Sequence, residues 1–236
     1  MSDAAEVVAG LVGAVRTAGR PVLVGIAGGV SVGKTTLAEQ LRDRLPDRTD
    51  VVGTDGFLFP TRVLATRGLT NRKGFPESYD VEALRAFLLA ARAGGFPREV
   101  PCYSHETYDV DGERTVDAVD TLIVEGLNIL SVGADVLDVG VYLDAPEATL
   151  EAWYQQRFRA LVREAEHDPS SFYRSFGGMD DDSIAAVADS VWQSINLVNL
   201  RDHVAPSRVR ADCVITKGPD HSIVAVDHQA GTAGPR

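Results

Sequence analysis

Nine consecutive residues carry the densest chemical signal in the chain: Gly28, Gly29, Val30, Ser31, Val32, Gly33, Lys34, Thr35 and Thr36. Within them Gly28, Gly33, Lys34 and Thr35 have the spacing G-x-x-x-x-G-K-T. Glycines let successive N–H groups turn inward on phosphate oxygens, and a helix start adds free donors and positive dipole. In this pattern the lysine reaches the outer phosphates and the threonine hydroxyl serves Mg²⁺. An apolar run at 22–27 precedes the nine and a helical pattern follows. That context separates them from an ordinary glycine-rich surface turn and predicts a nucleoside triphosphate site.

Two carboxylates leave apolar runs. Asp55 follows residues 49–54, and Glu125 follows Thr121-Leu-Ile-Val124. In an open α/β sheet, ligands sit beyond the carboxyl ends of the strands, so both are expected beside the glycine loop. There a carboxylate can hold a metal or take a proton from an attacking hydroxyl, and two allow both. Asp55, before Gly56, could instead make an Asx turn. Arg157 interrupts an apolar helical stripe of Leu150, Tyr154 and Leu161. Near a triphosphate it would offset charge on the transferred phosphoryl group; elsewhere it would be an ion pair or a snorkelling side chain. Tyr103, His105 and Tyr108 are expected on one short strand, the first two sharing a face, where they could line a small polar pocket. His167, His203, His221 and His228 show no ligand spacing.

The elements that must position these groups are legible as alternating patterns. Strands are predicted over 22–27, 49–54, 121–124, 139–143, 213–216 and 223–226, and helices over 4–18, 34–45, 81–93, 147–163 and 182–200. Asp111-Gly112 predicts a hairpin turn joining 100–110 to 114–116. The polar connection 61–80 is long enough to be functional or mobile. Residues 201–210 read as a basic, proline-interrupted link. The alternation predicts an α/β fold, a mainly parallel sheet with helices on both faces. One domain is expected over 1–236, with an N-terminal helix within 1–20 and a flexible tail over 228–236.

Bulk properties narrow the function. With 34 acidic and 23 basic residues the net charge is −11, which argues against a nucleic-acid surface. Any basic group at a phosphate site therefore stands against the background of the molecule. No apolar run reaches the length of a membrane span, and the first residues are acidic rather than a basic leader. Two cysteines, Cys102 and Cys213, suggest neither a disulfide framework nor a metal site. A cytoplasmic protein is expected.

The sequence resembles the bacterial type I pantothenate kinases, P-loop kinases related to uridine kinase and phosphoribulokinase. The resemblance is carried by the glycine loop, Thr54-Asp-Gly-Phe-Leu58, Lys73-Gly-Phe-Pro-Glu-Ser-Tyr-Asp80, Tyr103-Ser-His105, Tyr108-Asp-Val110, Glu125-Gly-Leu-Asn128, Trp153-Tyr154, Arg157-Phe158, Ile195-Asn196 and Asn199-Leu200, in order from about residue 20 to 227. It implies phosphorylation of the primary hydroxyl of pantothenate with ATP and Mg²⁺, the first step towards coenzyme A, by a homodimer. It assigns Asp55 as base, Glu125 and Thr35 to the metal, and Lys34 and Arg157 to the phosphoryl group. Tyr103, His105, Tyr108, Tyr154 and Asn199 fall to the acceptor, as does Lys73 near the site. Three departures stand out. Fewer residues precede the loop strand than in the pattern. Glu39 replaces a basic residue that serves feedback inhibition by coenzyme A. Leu161 and Glu166 stand where aromatic residues are expected. On the residues alone, a kinase of the same fold for a nucleoside such as uridine or for a sugar stays open, as does a nucleotide-binding switch with no acceptor.

Overall fold

A computed structural model describes residues 3–16, 19–45, 48–165, 168 and 170–229. Its strands are β1 (Val22–Gly28), β2 (Thr49–Gly53), β3 (Arg98–Ser104), β4 (Asp109–Val116), β5 (Thr121–Glu125), β6 (Val139–Asp144), β7 (Cys213–Lys217) and β8 (Ile223–His228). Six form one sheet in the order β2-β5-β1-β6-β7-β8, parallel except for β8, and β3 and β4 form a separate hairpin. Every residue of β1 is buried, as a central parallel strand covered on both faces must be. Its near end is pinned by Asp138, which accepts from both Arg20 guanidinium nitrogens at 2.8 and 2.7 Å and from the Leu23 N–H at 2.9 Å. Charge-assisted bonds of this kind fix where the strand starts, and so where its far end delivers the glycine loop.

The helices are α1 (Ala4–Val15), α2 (Lys34–Arg44), α3 (Thr61–Thr66), α4 (Val81–Arg92), α5 (Ile129–Gly133), α6 (Glu147–Glu164) and α7 (Asp181–Val191). α4 follows its sequence logic: the Asp80 side chain accepts from the Ala83 N–H at 2.9 Å, and Leu84, Phe87, Leu88 and Ala91 are buried at helical spacing. α6 and α7 pack through a smaller core of Phe158, Val162, Ile184 and Ala188. No helix among the described residues is long and apolar enough to cross a membrane.

Several expectations need correction. Asp111-Gly112 is not the hairpin turn. Tyr103 pairs with Val110 and Pro101 with Glu113, so two residues of β4 face the single Cys102, and Gly112 (φ 81°) absorbs a bulge. The turn falls at 105–108, so His105 lies beyond the end of β3, although its ring still meets that of Tyr103 at 5.2 Å between centres. The 61–80 connection is folded, with α3 and two short 3₁₀ turns at Thr70–Arg72 and Pro76–Ser78. Residues 201–210 continue a helix. After α7 the chain runs through a π turn (Trp192–Asn196), an α turn (Leu197–Asn199), a second π turn (Leu200–Val204) and a 3₁₀ segment (Ala205–Arg210). Pro206 sits at the start of that last segment, where its missing N–H costs nothing. β8 extends through His228 and the Gln229 N–H donates to the Asp212 carbonyl at 3.0 Å, so the expected tail begins too early. Glu166, His167 and the rest of that tail lie outside the described residues.

Candidate active site

The sheet register decides which chemistry meets. β5 lies between β1 and β2, with Glu125 level with Ile26 on one side and Gly53 on the other. The strand ends therefore line up the glycine loop, Glu125 and Asp55 in that order along one edge. The loop itself needs its glycines: Gly28 has φ 147° and a side-chain carbon there would stand 2.4 Å from the Leu143 carbonyl oxygen, and Gly33 has φ 93° at the start of α2. Ser31 is also left-handed, with φ 60°. A non-glycine residue held in that region is local strain of the sort found at binding loops.

Lys34 Nζ donates to the Gly29 carbonyl at 2.9 Å, folding across its own loop. Burial lowers its pKa, opposed by the charges of Glu125 and Asp55. The Thr35 hydroxyl donates to Glu125 Oε1 at 2.9 Å. Burial raises the Glu125 pKa and the nearby Asp55 charge adds to the rise, while Lys34 opposes it. Asp55 sits in a 3₁₀ turn, Thr54–Phe57. Its carboxylate is not spent on that turn: it accepts from the Tyr79 hydroxyl at 2.9 Å, which removes the Asx-turn alternative. Arg157 has neither a hydrogen-bond nor an ion-pair partner among the described residues, which removes the structural ion pair.

Two cavities meet here. An open cleft of about 960 Å³ runs past Gly33, Thr36, Gln40, Trp153, Lys217 and His221. A smaller pocket of about 230 Å³ is lined by Asp55, Glu125 and a polar and aromatic set. Ser31, Lys34, Thr35, His105 and Arg157 border both. All the residues expected to meet the acceptor, Lys73, Tyr103, His105, Tyr108, Tyr154 and Asn199, line the smaller pocket. Some are already engaged. Lys73 Nζ donates to the Tyr108 carbonyl and lies 4.2 Å from the centre of the Tyr108 ring. Asn199 Nδ2 donates to the Gly74 carbonyl at 2.8 Å, leaving its buried Oδ1 without a partner among the described residues. Burial, then Arg157, lowers the His105 pKa, and burial raises the Tyr154 hydroxyl to about 12 despite its bond to Asn196. Away from Lys34, Asp55, Glu125 and Arg157, the pocket offers the hydroxyl, imidazole and amide groups of Tyr103, His105, Tyr108, Tyr154 and Asn199, and the Lys73 amine.

Residues beyond the sequence reading complete the site. Lys217 ends β7 and donates to the Val32 carbonyl at 3.0 Å, a cation at the glycine loop. A charged residue closing an apolar strand is the signal that marked Glu125, so Lys217 was findable. His221 stacks on Trp153 at 4.0 Å between ring centres, which no local pattern announces. Aromatic rings gather beside the smaller pocket from other positions. Tyr108 stacks on Phe172 at 4.5 Å, and Phe158 meets Tyr173 edge to face at 5.8 Å. Leu161 is half-buried and borders the smaller pocket. Glu39 lies exposed on α2 and lines neither cavity.

No family model matches the chain. Among solved structures, a kinase from Silicibacter sp. TM1040 named for a fructose transport system is 26% identical with a TM-score of 0.67, over 92% of this chain and 100% of the other. Phosphoribulokinase from Rhodobacter spheroides, 12% identical with a TM-score of 0.52 over 84% of this chain and 70% of the other, shares the fold. Curated relatives are more similar in sequence. The pantothenate kinase of Sorangium cellulosum is 46% identical over 222 residues, 88% of this chain and 72% of the relative. That of Streptomyces avermitilis is 45% identical over 224 residues, 87% of this chain and 68% of the relative. That of Parvibaculum lavamentivorans is 43% identical over 222 residues, 86% of this chain and 68% of the relative. At 43–46% identity over 86–88% of its length, this chain belongs to the pantothenate kinase family.

Proposed function

We propose that this protein transfers the γ-phosphoryl group of ATP to the primary hydroxyl of pantothenate, opening the route to coenzyme A. The observation that carries the reading is the junction of the two cavities at Lys34, Thr35 and Arg157, with Asp55 on the smaller side. A triphosphate in the larger cleft ends at that junction, and an alcohol in the smaller pocket reaches the same point from the other side. Asp55 accepts the hydroxyl proton as the oxygen attacks in line, and the ADP oxygen leaves on the opposite side. Lys34 and Arg157 offset the charge spread over the phosphoryl oxygens. Lys73, Tyr103, His105, Tyr108, Tyr154 and Asn199 hold the acceptor.

Mg²⁺ fits the residues present. Among the described residues no three His, Cys, Asp or Glu side chains gather to cage a metal, but Thr35 and Glu125 place two hard oxygens side by side. Mg²⁺ commonly takes one or two protein oxygens and fills its shell with phosphate and water oxygens. Bound there, it would screen the β- and γ-phosphate charge. The reading extends to a cytoplasmic homodimer, supported by membership of the family.

An acceptor panel with labelled ATP tests this: pantothenate should be phosphorylated fastest. The Silicibacter neighbour favours including fructose, and uridine covers the nucleoside alternative. Faster turnover of either overturns the acceptor assignment. ATP binding with no transfer to any acceptor would instead mark a nucleotide switch.

A further inference from the structure

We propose that Tyr79 is a positioning residue for phosphoryl transfer: its hydroxyl holds one oxygen of the Asp55 carboxylate, so that the other is left to take the acceptor proton. The proposal rests on the assignment of Asp55 as base, and adds to it the part that aims the base.

The geometry begins in the backbone. Residues 57–59 and 78–80 pair as a short antiparallel rung, with the Phe59 N–H donating to the Ser78 carbonyl at 2.9 Å and the Asp80 N–H to the Phe57 carbonyl at 2.8 Å. Ser78 is buried and locks its own turn, its hydroxyl donating to the Phe75 carbonyl at 2.7 Å and accepting from the Gly74 N–H at 3.0 Å. Tyr79 is thus fixed against the turn that carries Asp55, and only 3% of it is exposed. Its hydroxyl donates to Asp55 Oδ1 at 2.9 Å, and among the described residues it is the one hydrogen-bond partner of that carboxylate.

The other influences on Asp55 have no direction. Glu125 repels it, and Lys34 and Lys73 attract it through space. A carboxylate held by undirected charge alone can rotate about its Cβ–Cγ bond; one bonded at Oδ1 cannot do so freely. Oδ2 then accepts the proton as the acceptor oxygen bonds to phosphorus and the bond from phosphorus to the ADP oxygen breaks. Tyr79 keeps its proton throughout. Burial first, and then the Asp55 charge, push its phenol well above the ordinary range, so it remains a donor.

The test uses Tyr79→Phe, Asp55→Asn and the double variant, each assayed for kcat and for both KM values. Tyr79→Phe should lower kcat about tenfold, since bonds to charged groups and catalytic alignment are worth that order. Both KM values should stay within about twofold, because the hydroxyl contacts the base rather than either substrate. Added to Asp55→Asn, Tyr79→Phe should change the residual rate by less than about twofold, the non-additivity of two groups acting as one. Wild-type kcat in Tyr79→Phe, with Asp55→Asn inactive, overturns the role of Tyr79 alone. A full tenfold loss on top of Asp55→Asn does the same, because the hydroxyl would then act elsewhere. Wild-type turnover in Asp55→Asn overturns the base and this proposal together. Thermal unfolding with an ATP analogue identifies the temperature at which every variant is folded, and the rates are compared there.

Discussion

The two cavities that meet at Arg157 are built in opposite ways. The larger one takes its phosphate end, Ser31 and Gly33 to Thr36, from one stretch of backbone after a fully buried strand, and adds Trp153, Lys217 and His221 from elsewhere in the chain. The smaller one draws Asp55 from after β2, Lys73 and Tyr79 from the folded connection, Tyr103 and Tyr108 from the hairpin, Arg157 and Phe158 from α6, and Asn199 from the π-helical run. On the proposed assignment, the difference follows from the ligands. Phosphate is recognised by N–H groups and a helix start, which every chain has and only needs to bend. An organic acid is recognised by side chains at set positions in space, and these can come from anywhere. One cavity should therefore fail locally and the other by displacement of a distant support.

The sharpest contrast is between Asp55, in the smaller pocket, and Lys34, at the junction. Asp55→Asn should cut kcat by about 10²–10⁴, the usual range for a general base, with ATP affinity close to wild type. Full turnover in that variant would break the division of labour. Lys34→Met should cost about 10²–10³ in kcat, as removal of a single charge stabiliser does, and should also weaken ATP binding measured by calorimetry. Loss of kcat with unchanged ATP binding would move Lys34 out of the nucleotide cleft.

A smaller effect should separate the cavities from a distance. A Cβ on Gly56 would stand 2.1 Å from the Pro101 carbonyl oxygen, so Gly56→Ala must push the hairpin away from the turn that carries Asp55. The expected loss of stability is about 1–3 kcal/mol by overpacking, read from denaturant unfolding. The acceptor KM should rise about tenfold while ATP binding is kept, because a displacement of about 1 Å acts on side chains carried by the hairpin. Equal damage to both substrates would show that the cavities are not mechanically separate. The smallest effect concerns regulation. With Glu39 exposed and outside both cavities, coenzyme A should inhibit weakly or not at all. Strong inhibition competitive with ATP would point to another cation, and Lys217 at the glycine loop is the first to replace.

What was legible follows the same divide. β1, β5 and β6 announced themselves as apolar runs, and the glycine loop after β1, Asp55 after β2 and Glu125 ending β5 marked the working edge of the sheet. Asp111-Gly112 misled because the same left-handed glycine serves a tight turn or a bulge, and only pairing with β3 settles which. α5 escaped because five residues, several of them buried, have no periodicity to show. Tyr79 looked like one aromatic among several, because nothing in its neighbours reveals a carboxylate from residue 55 above its hydroxyl.

By itself the sequence determined the phosphate loop and the parallel α/β sheet and marked Asp55 and Glu125 as strand-end carboxylates, since each depends on short runs whose backbone or pattern is self-contained. Tertiary structure alone decided that Arg157 has no hydrogen-bond or ion-pair partner among the described residues, that Lys217 and His221 border the larger cleft, and that Tyr79 grips Asp55. Those are facts about side chains far apart in the chain, and only packing brings them within hydrogen-bond reach.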